Sequence, residues 1–431
     1  MQSHEDTAEP SSNELGRTET ESTGKEHLES TELGDEQIKH LNARSETTGL
    51  EQENKPPTDE SPTILGGSNL TPEDTESTSS NLQDCIVHAP DLLEAMSGHD
   101  FAGRDTRKRA CLNKATGMSD RLGIYYQIIP PGYRTSSPHA HSVEDELVFC
   151  LQGRGIVWQN GWTYSFVPGD VAGWKAGTGI THTIINDTKH LPGESTDEEE
   201  EDLILLVVGE NKPGEDRLFY PFDPEKYDLP GRLKWDGPKP QNHWGQHPGV
   251  ARAERPNDVL PDIQTGARPS NIVCWKDQLA EVGKGEKSAY ATSLSQETGL
   301  SGRLGCNLEI APPGTRSSDP HAHSVEDELV FIIQGEGSVW LDGHIFAVSP
   351  GDAVGFKAGT GLAHTFINDS NASGDESGQD LVTWIVGENR RNEDRVVYPL
   401  HPEKKQTFNR WWEDSPQRKL GMYLLIADST S

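Results

Sequence analysis

The chain has 431 residues, room for two or three ordinary domains, with 70 acidic against 38 basic side chains and a formal net charge of −32. That balance argues against binding to nucleic acid or to anionic membranes, since both need basic patches, and no apolar run approaches the ~20 residues of a spanning helix. Five scattered cysteines (Cys85, Cys111, Cys150, Cys274, Cys306) form neither a disulfide framework nor a zinc-type pair, and residues 1–10 lack a basic start followed by an apolar run. A reducing compartment, cytoplasmic or nuclear, is the expectation.

Residues 1–80 hold 19 acidic and 5 basic side chains and no aromatic residue. Such a stretch buries too little apolar surface to offset the entropy of ordering, so it is expected to be a disordered acidic tail. The first folded unit is expected over 81–221, opening on LQDCIVHAPDLL at 82–93. Residues 121–130 (RLGIYYQIIP) read as a strand closed by Pro130-Pro131-Gly132. Residues 138–149 read PHAHSVEDELVF, with a second strand over 146–152 that Gly153 and Gly155 break. Strands at 156–159 and 162–167 are joined across Asn160-Gly161, a favoured two-residue hairpin turn because both positions tolerate positive φ. Further strands at 182–186 and 203–208 flank the acidic run 197–202, which reads as a solvated loop. Residues 222–270 form a Pro/Gly-rich interdomain segment, whose Trp235 and Trp244 are expected to pack over the folded units.

The second unit, expected over 271–431, repeats this order. PHAHSVEDELVF returns letter for letter at 320–331, at an offset of 182. Arg121-Leu122-Gly123 recurs as Arg303-Leu304-Gly305, and the hairpin turn becomes Asp342-Gly343. Beyond the acidic run the offset shortens to 178, where Val208-Gly209-Glu210-Asn211 meets Val386-Gly387-Glu388-Asn389 and Asp216-Arg217 meets Asp394-Arg395. Tyr220-Pro221 likewise returns as Tyr398-Pro399, and Trp411-Trp412 are expected to pack on the second unit. The repeat is a whole domain, and its short strands with closely spaced turn signals indicate an antiparallel sandwich or barrel.

In a strand, residues i and i+2 share a face, so His139 projects with His141 and His321 with His323. Glu146 lies five residues beyond His141, an odd step. A turn over 142–144 is needed to place it on the neighbouring strand, aimed at the same interior. His182 and His364, each opening a later strand, are the natural fourth ligands. Arg134 and Arg316, just before the ligand strands, are candidates to clamp a substrate carboxylate or else surface charges on a loop. Glu144, Asp145, Glu326 and Asp327 read as rim-exposed turn residues, Lys175 and Lys357 as exposed, and Cys150 as a small buried apolar residue. Tyr126, Val148 and Trp158, with Leu308, Val330 and Trp340, are expected to line the barrels.

The pattern H-x-H-x4-E-x6-G, from His139 to Gly153 and from His321 to Gly335, resembles the first motif of the cupins. Gly179-His182-Asn186 and Gly361-His364-Asn368 match the G-x2-H-x3-N ending of the second motif. The chain therefore resembles a bicupin. The resemblance implies an all-β fold of two tandem double-stranded β-helix barrels, each holding one divalent metal through three His and one Glu. Carried over by position, the ligands are His139, His141, Glu146 and His182, then His321, His323, Glu328 and His364. The glycine before the first histidine stands one residue further away than usual, at Gly132 and Gly314, and Gly177 and Gly359 replace the usual proline of the second motif. These departures remove no ligand.

The ligand set suits Mn, Fe, Ni or Zn without selecting one. The leading expectation is a metal-dependent enzyme of dioxygenase or oxidoreductase type on a small oxygenated metabolite. Two alternatives stay open: decarboxylation of a small organic acid, and non-catalytic small-ligand binding or storage. Oligomeric state also stays open, because two fused barrels can stand in for a dimer of single ones.

Overall fold

A computed structural model describes residues 82–95, 108–186, 201–228, 231–236, 267–282, 290–370 and 378–421. The acidic tail over 1–80, most of the acidic run 197–202 and most of the interdomain segment with Trp244 lie outside the described residues.

Each half builds two facing antiparallel sheets. In the first, the larger sheet orders Asp170–Trp174, Glu146–Gln152, Leu203–Glu210, Leu122–Ile129 and Lys108–Cys111, and the smaller orders Trp162–Phe166, Gly155–Gln159 and His182–Ile185. The second half repeats this with Asp352–Phe356, Glu328–Gln334, Leu381–Gly387, Gly305–Ala311 and Tyr290–Ser293 facing His344–Val348, Gly337–Leu341 and His364–Ile367. The result is the expected all-β pair of double-stranded β-helix barrels. The hairpin turns form as read from sequence: Asn160 and Gly161 take φ of 47° and 89°, Asp342 and Gly343 take 45° and 88°, the doubly positive φ of a type I′ turn.

Alternation along Glu146–Gln152 decides which residues reach the site. Val148 and Cys150, which share a face with Glu146, pack between the two sheets with Val157, Phe166, Ala172 and Ile184. Val330 and Ile332 do the same in the second barrel with Val339, Val354 and Phe366. Leu147 and Phe149 point the other way, into a third apolar cluster drawn from both halves that includes Tyr126, Leu206, Leu308, Leu329, Phe331 and Trp384. The two larger sheets thus pack against each other, and the Tyr126 and Phe331 rings stack with centroids 6.1 Å apart. Burying each such side chain contributes roughly 1.5–3 kcal/mol. Of the six expected barrel-lining residues, Val148 and Val330 hold that place. Tyr126 and Leu308 face the other barrel instead, and Trp158 and Trp340 lie on the outer face of the smaller sheets, under Phe222 and Leu400 respectively.

Two strands pair across the halves. Ile86–His88, at the start of the first unit, pairs with Asp352–Phe356 of the second barrel, and Ile272–Cys274 pairs with Asp170–Trp174 of the first. Each barrel borrows the edge strand that opens the other's sequence, which covers an otherwise unpaired edge. Glycine permits the close approach beside it. A Cβ on Gly355 would stand 2.2 Å from Thr116 Oγ1, and one on Gly173 would stand 2.5 Å from Thr298 Oγ1. Trp235 and Trp412 are buried and Trp411 is half-buried.

Candidate metal centres

The short strand Ala140–His141 pairs with Leu218–Phe219, the chain turns over Ser142 to Asp145, and Glu146 then opens its own strand. His139 and His182 form an isolated antiparallel bridge, exchanging backbone hydrogen bonds of 3.2 and 3.0 Å. These constraints bring all four predicted ligands together. The Nε2 atoms of His141, His182 and His139 lie 3.4, 3.5 and 3.8 Å from one oxygen, Glu146 Oε2. In the second barrel His364 Nε2 lies 3.1 Å from Glu328 Oε1 and His323 Nε2 lies 3.7 Å from Glu328 Oε2. The His321 ring centroid stands 4.8 Å from that of His364 and 5.0 Å from that of His323.

The outer nitrogens explain why the inner ones converge. His139 Nδ1 donates to the Ser137 carbonyl at 2.9 Å and His182 Nδ1 to the Ile180 carbonyl at 3.2 Å. A carbonyl only accepts, so Nδ1 carries the hydrogen and the lone pair of the neutral ring sits on Nε2. His321 repeats this with the Asp319 carbonyl, whereas His364 sets Nδ1 against the Leu362 carbonyl at 3.3 Å and Nε2 at 3.1 Å from Glu328 Oε1. His141 and His323 bond instead to carboxylates, Asp216 and Asp394, each at 2.7 Å. A carboxylate behind a ligating imidazole fixes the ring and raises its basicity. Aromatic rings complete the walls: Trp174 lies flat on His182 at 3.8 Å and Phe356 on His364 at 3.5 Å.

The electrostatics suit a cation. Burial, with the neighbouring imidazoles, lowers the pKa of His139 and of His321 to about 3, so both stay neutral. Burial opposes ionisation of Glu328, but His364 and its neighbours outweigh it and bring that carboxyl to about 2; Glu146 is likewise held well below the usual range. His141 differs. Burial works against a charge there, yet Asp216 and Glu146 prevail and raise its pKa to about 10, so binding a metal through its Nε2 would release a proton. His182 Nε2 and His323 Nε2 are buried with no hydrogen-bond partner. Buried polar atoms are seldom left so, and three imidazoles with one carboxylate are a donor set that fits a divalent transition-metal ion.

The remaining candidates fall into different places. Arg134 is buried rather than a surface charge, its backbone bridged to Ile185, and Arg316 donates to Asp319 Oδ1 at 3.2 Å. Asp145 and Asp327 are buried, not exposed at the rim, because both carboxylates are enclosed by hydrogen-bond donors. Lys175 and Lys357 are exposed and Cys150 is buried, as expected. A shallow recess opens at the second centre, lined by His323, His364, Glu326, Phe356 and Lys357 among others. Sequence reasoning missed Asp216 and Asp394 as partners of His141 and His323. The signal was present in the recurrence of Asp-Arg at an offset of 178.

A family model described as Cupin domain matches residues 125–194 and again 307–374, spans that contain both ligand sets. A comparison with curated proteins finds no match. Among solved structures, the chain is similar to a salicylate 1,2-dioxygenase from Pseudaminobacter salicylatoxidans, at 14% identity and a TM-score of 0.47 over 72% of this chain and 86% of that one. It is similar to an oxalate decarboxylase from Lactobacillus farciminis at 14% identity and a TM-score of 0.42, over 73% and 88% of the two chains. A putative sugar phosphate isomerase from Acidithiobacillus ferrooxidans shares 30% identity over 27% of this chain and 65% of its own, with a TM-score of 0.23.

Proposed function

We propose that this chain, which carries one cupin domain in each half, is a metal-dependent enzyme of dioxygenase type acting on a small oxygenated metabolite. The observation that carries this reading is the convergence of Nε2 atoms on one glutamate in each barrel, with every opposite Nδ1 already committed to an acceptor. His139, His141, Glu146 and His182 are the proposed ligands of one centre, and His321, His323, Glu328 and His364 those of the other. Three imidazoles and one carboxylate in each barrel would suit a Mn, Fe, Ni or Zn ion, which would supply Lewis acidity toward a substrate oxygen. The chain's own residues supply orientation and dryness. Asp216 and Asp394 hold the second histidine of each set, while Trp174 and Phe356 press the fourth ring into place and exclude water from its face. The net charge of −32 speaks for a small molecule rather than a nucleic acid as partner.

A second reading, decarboxylation of a small acid, draws support from Lys357, a cation on the wall of the recess beside His323 and His364. One experiment separates the two. Metal-loaded protein is offered a panel of small hydroxy and carboxylic acids while O2 uptake and CO2 release are recorded together, with the His139→Ala/His321→Ala double variant as control. O2 uptake that the control lacks supports the dioxygenase reading, and anaerobic CO2 release supports the decarboxylase. A bound compound recovered unchanged, with neither gas trace moving, overturns both in favour of a binding protein.

A further inference from the structure

Three repeated sequence features take no part in metal ligation: the Glu-Asp pair before each ligand glutamate, the Arg-Leu-Gly run and the Val-Gly-Glu-Asn run. In the fold they meet across the barrel interface. Arg303 of the second half grips Glu210 of the first with both ends of its guanidinium, Nε to Oε1 at 2.9 Å and a terminal nitrogen to Oε2 at 2.7 Å. The same terminal nitrogen donates to the Val143 carbonyl at 2.8 Å, inside the turn between His141 and Glu146. Ser301 donates its backbone N–H to Asp145 Oδ2 at 2.8 Å, and its hydroxyl to the same oxygen. Glu210 in turn accepts the Asp145 N–H at 3.0 Å.

Asp145 sits at the centre of this grip and is 0% exposed. One of its oxygens faces the other barrel through Ser301. The other accepts the Ala176 N–H at 2.8 Å, in the loop that runs from Trp174 to His182. A single buried carboxylate thereby ties together the turn that aims Glu146, the loop that leads to His182 and the opposite barrel. The mirror arrangement is complete. Arg121 of the first half reaches Glu388 at 2.7 and 2.6 Å, the Val325 carbonyl at 3.0 Å and Asp327 at 3.0 Å, Ser119 donates to Asp327, and Asp327 accepts the Ala358 N–H at 2.8 Å.

We infer that Arg303 and Arg121 are positioning residues acting in trans: each holds the ligand turn of the barrel to which it does not belong, so that each metal centre depends on the other half of the chain. A fork of two parallel bonds fixes direction as well as distance, which a lysine cannot reproduce. The inference rests on the metal-centre reading, and its test keeps the two apart.

Two single-centre proteins are made from the full chain, His321→Ala/His323→Ala to leave the first centre and His139→Ala/His141→Ala to leave the second. Co(II) is titrated into each, followed by its visible absorption and by metal retained after dialysis. Arg303→Ala should weaken Co(II) at the first centre about 10–100-fold, the range for loss of support behind a ligand, and alter its absorption bands, while leaving the second centre unchanged. Arg121→Ala should do the reverse. Arg303→Lys should restore only part of the loss, and Ser301→Ala should give a smaller shift in the same direction as Arg303→Ala. Both arginines lie in the same interface, so general loosening predicts equal effects on both centres. Equal effects overturn the inference, as does a cis pattern or no change in affinity. Failure of both unmodified single-centre proteins to bind Co(II) overturns the metal reading itself.

Discussion

Asp216→Asn removes one charge and almost no volume, and the geometry gives its consequence. Asp216 Oδ2 accepts the His141 Nδ1 hydrogen at 2.7 Å. Oδ1 accepts from the backbone N–H groups of Ser142 and Val143, each at 3.0 Å, and from the Ser142 hydroxyl at 3.2 Å. Both oxygens are thus used as acceptors, one by the ligand ring and the other by the turn that leads to Glu146. An amide has a single acceptor oxygen and a donating NH2. Whichever way it lies, a donor faces a donor, either at His141 or at the turn. His141 also loses the charge that makes it a stronger base. Loss of such support behind a ligand lowers metal affinity about 10–100-fold, which is about 1.4–2.8 kcal/mol. Co(II) titration of the protein that keeps only the first centre measures this directly, with Asp394→Asn in the same protein as the control. Equal Co(II) affinity for Asp216→Asn and its parent would refute the reasoning, and so would an equal loss for Asp394→Asn.

Other expectations follow from the same contacts. Because His141 is raised to about 10, it is protonated at neutral pH and gives up roughly one proton per metal bound; apparent affinity at the first centre should rise with pH between 6 and 8, and calorimetry in buffers of different ionisation enthalpy should detect the proton. A pH-independent affinity contradicts this. Gly355→Ala places a Cβ 2.2 Å from Thr116 Oγ1, a hydroxyl already bonded to the Leu112 carbonyl at 2.8 Å, so the overlap should destabilise the protein by about 1–3 kcal/mol. A lowered Tm, partly recovered by adding Thr116→Gly, is the expected result, and an unchanged Tm speaks against the close approach. Burial pushes the Glu210 pKa up, but Arg303 and Lys212 outweigh it and hold the carboxyl below its ordinary 4.5. A depressed folded-state value means the contribution is present above about pH 4.5 and is lost as pH falls through that lower value. Glu210→Gln should therefore reduce stability at neutral pH and flatten the acid limb of a Tm–pH curve.

Much of this molecule is legible in its sequence. The identical twelve residues announced two equivalent domains, and the odd step from His141 to Glu146 required the turn that the chain makes. Asn160-Gly161 and Asp342-Gly343 named their turn type through backbone preference alone. What escaped reading was non-local. The partner of Ile86–His88 lies more than 260 residues away, His88 pairing with Asp352, and an edge strand carries no local mark of which sheet it completes. Tyr126 and Leu308 misled for a related reason. The larger sheets are covered on both faces, by the barrel interior and by the other barrel, so both faces of their strands read as apolar and alternation cannot say which is inside. Asp145 and Asp327 look like solvated turn residues in the run Glu-Asp-Glu. The opposite barrel's serine and arginine, far off in sequence, join the Ala176 and Ala358 N–H groups in enclosing them.

The central claim is that each half of the chain holds one metal ion through three histidines and a glutamate. Metal content of the purified protein, measured by mass spectrometry beside His139→Ala, His321→Ala and the double variant, tests it most directly. The account predicts two equivalents of a divalent transition metal per chain, one in each single variant and none in the double. A folded parent that retains no metal after loading, or a double variant that still carries both equivalents, would contradict it.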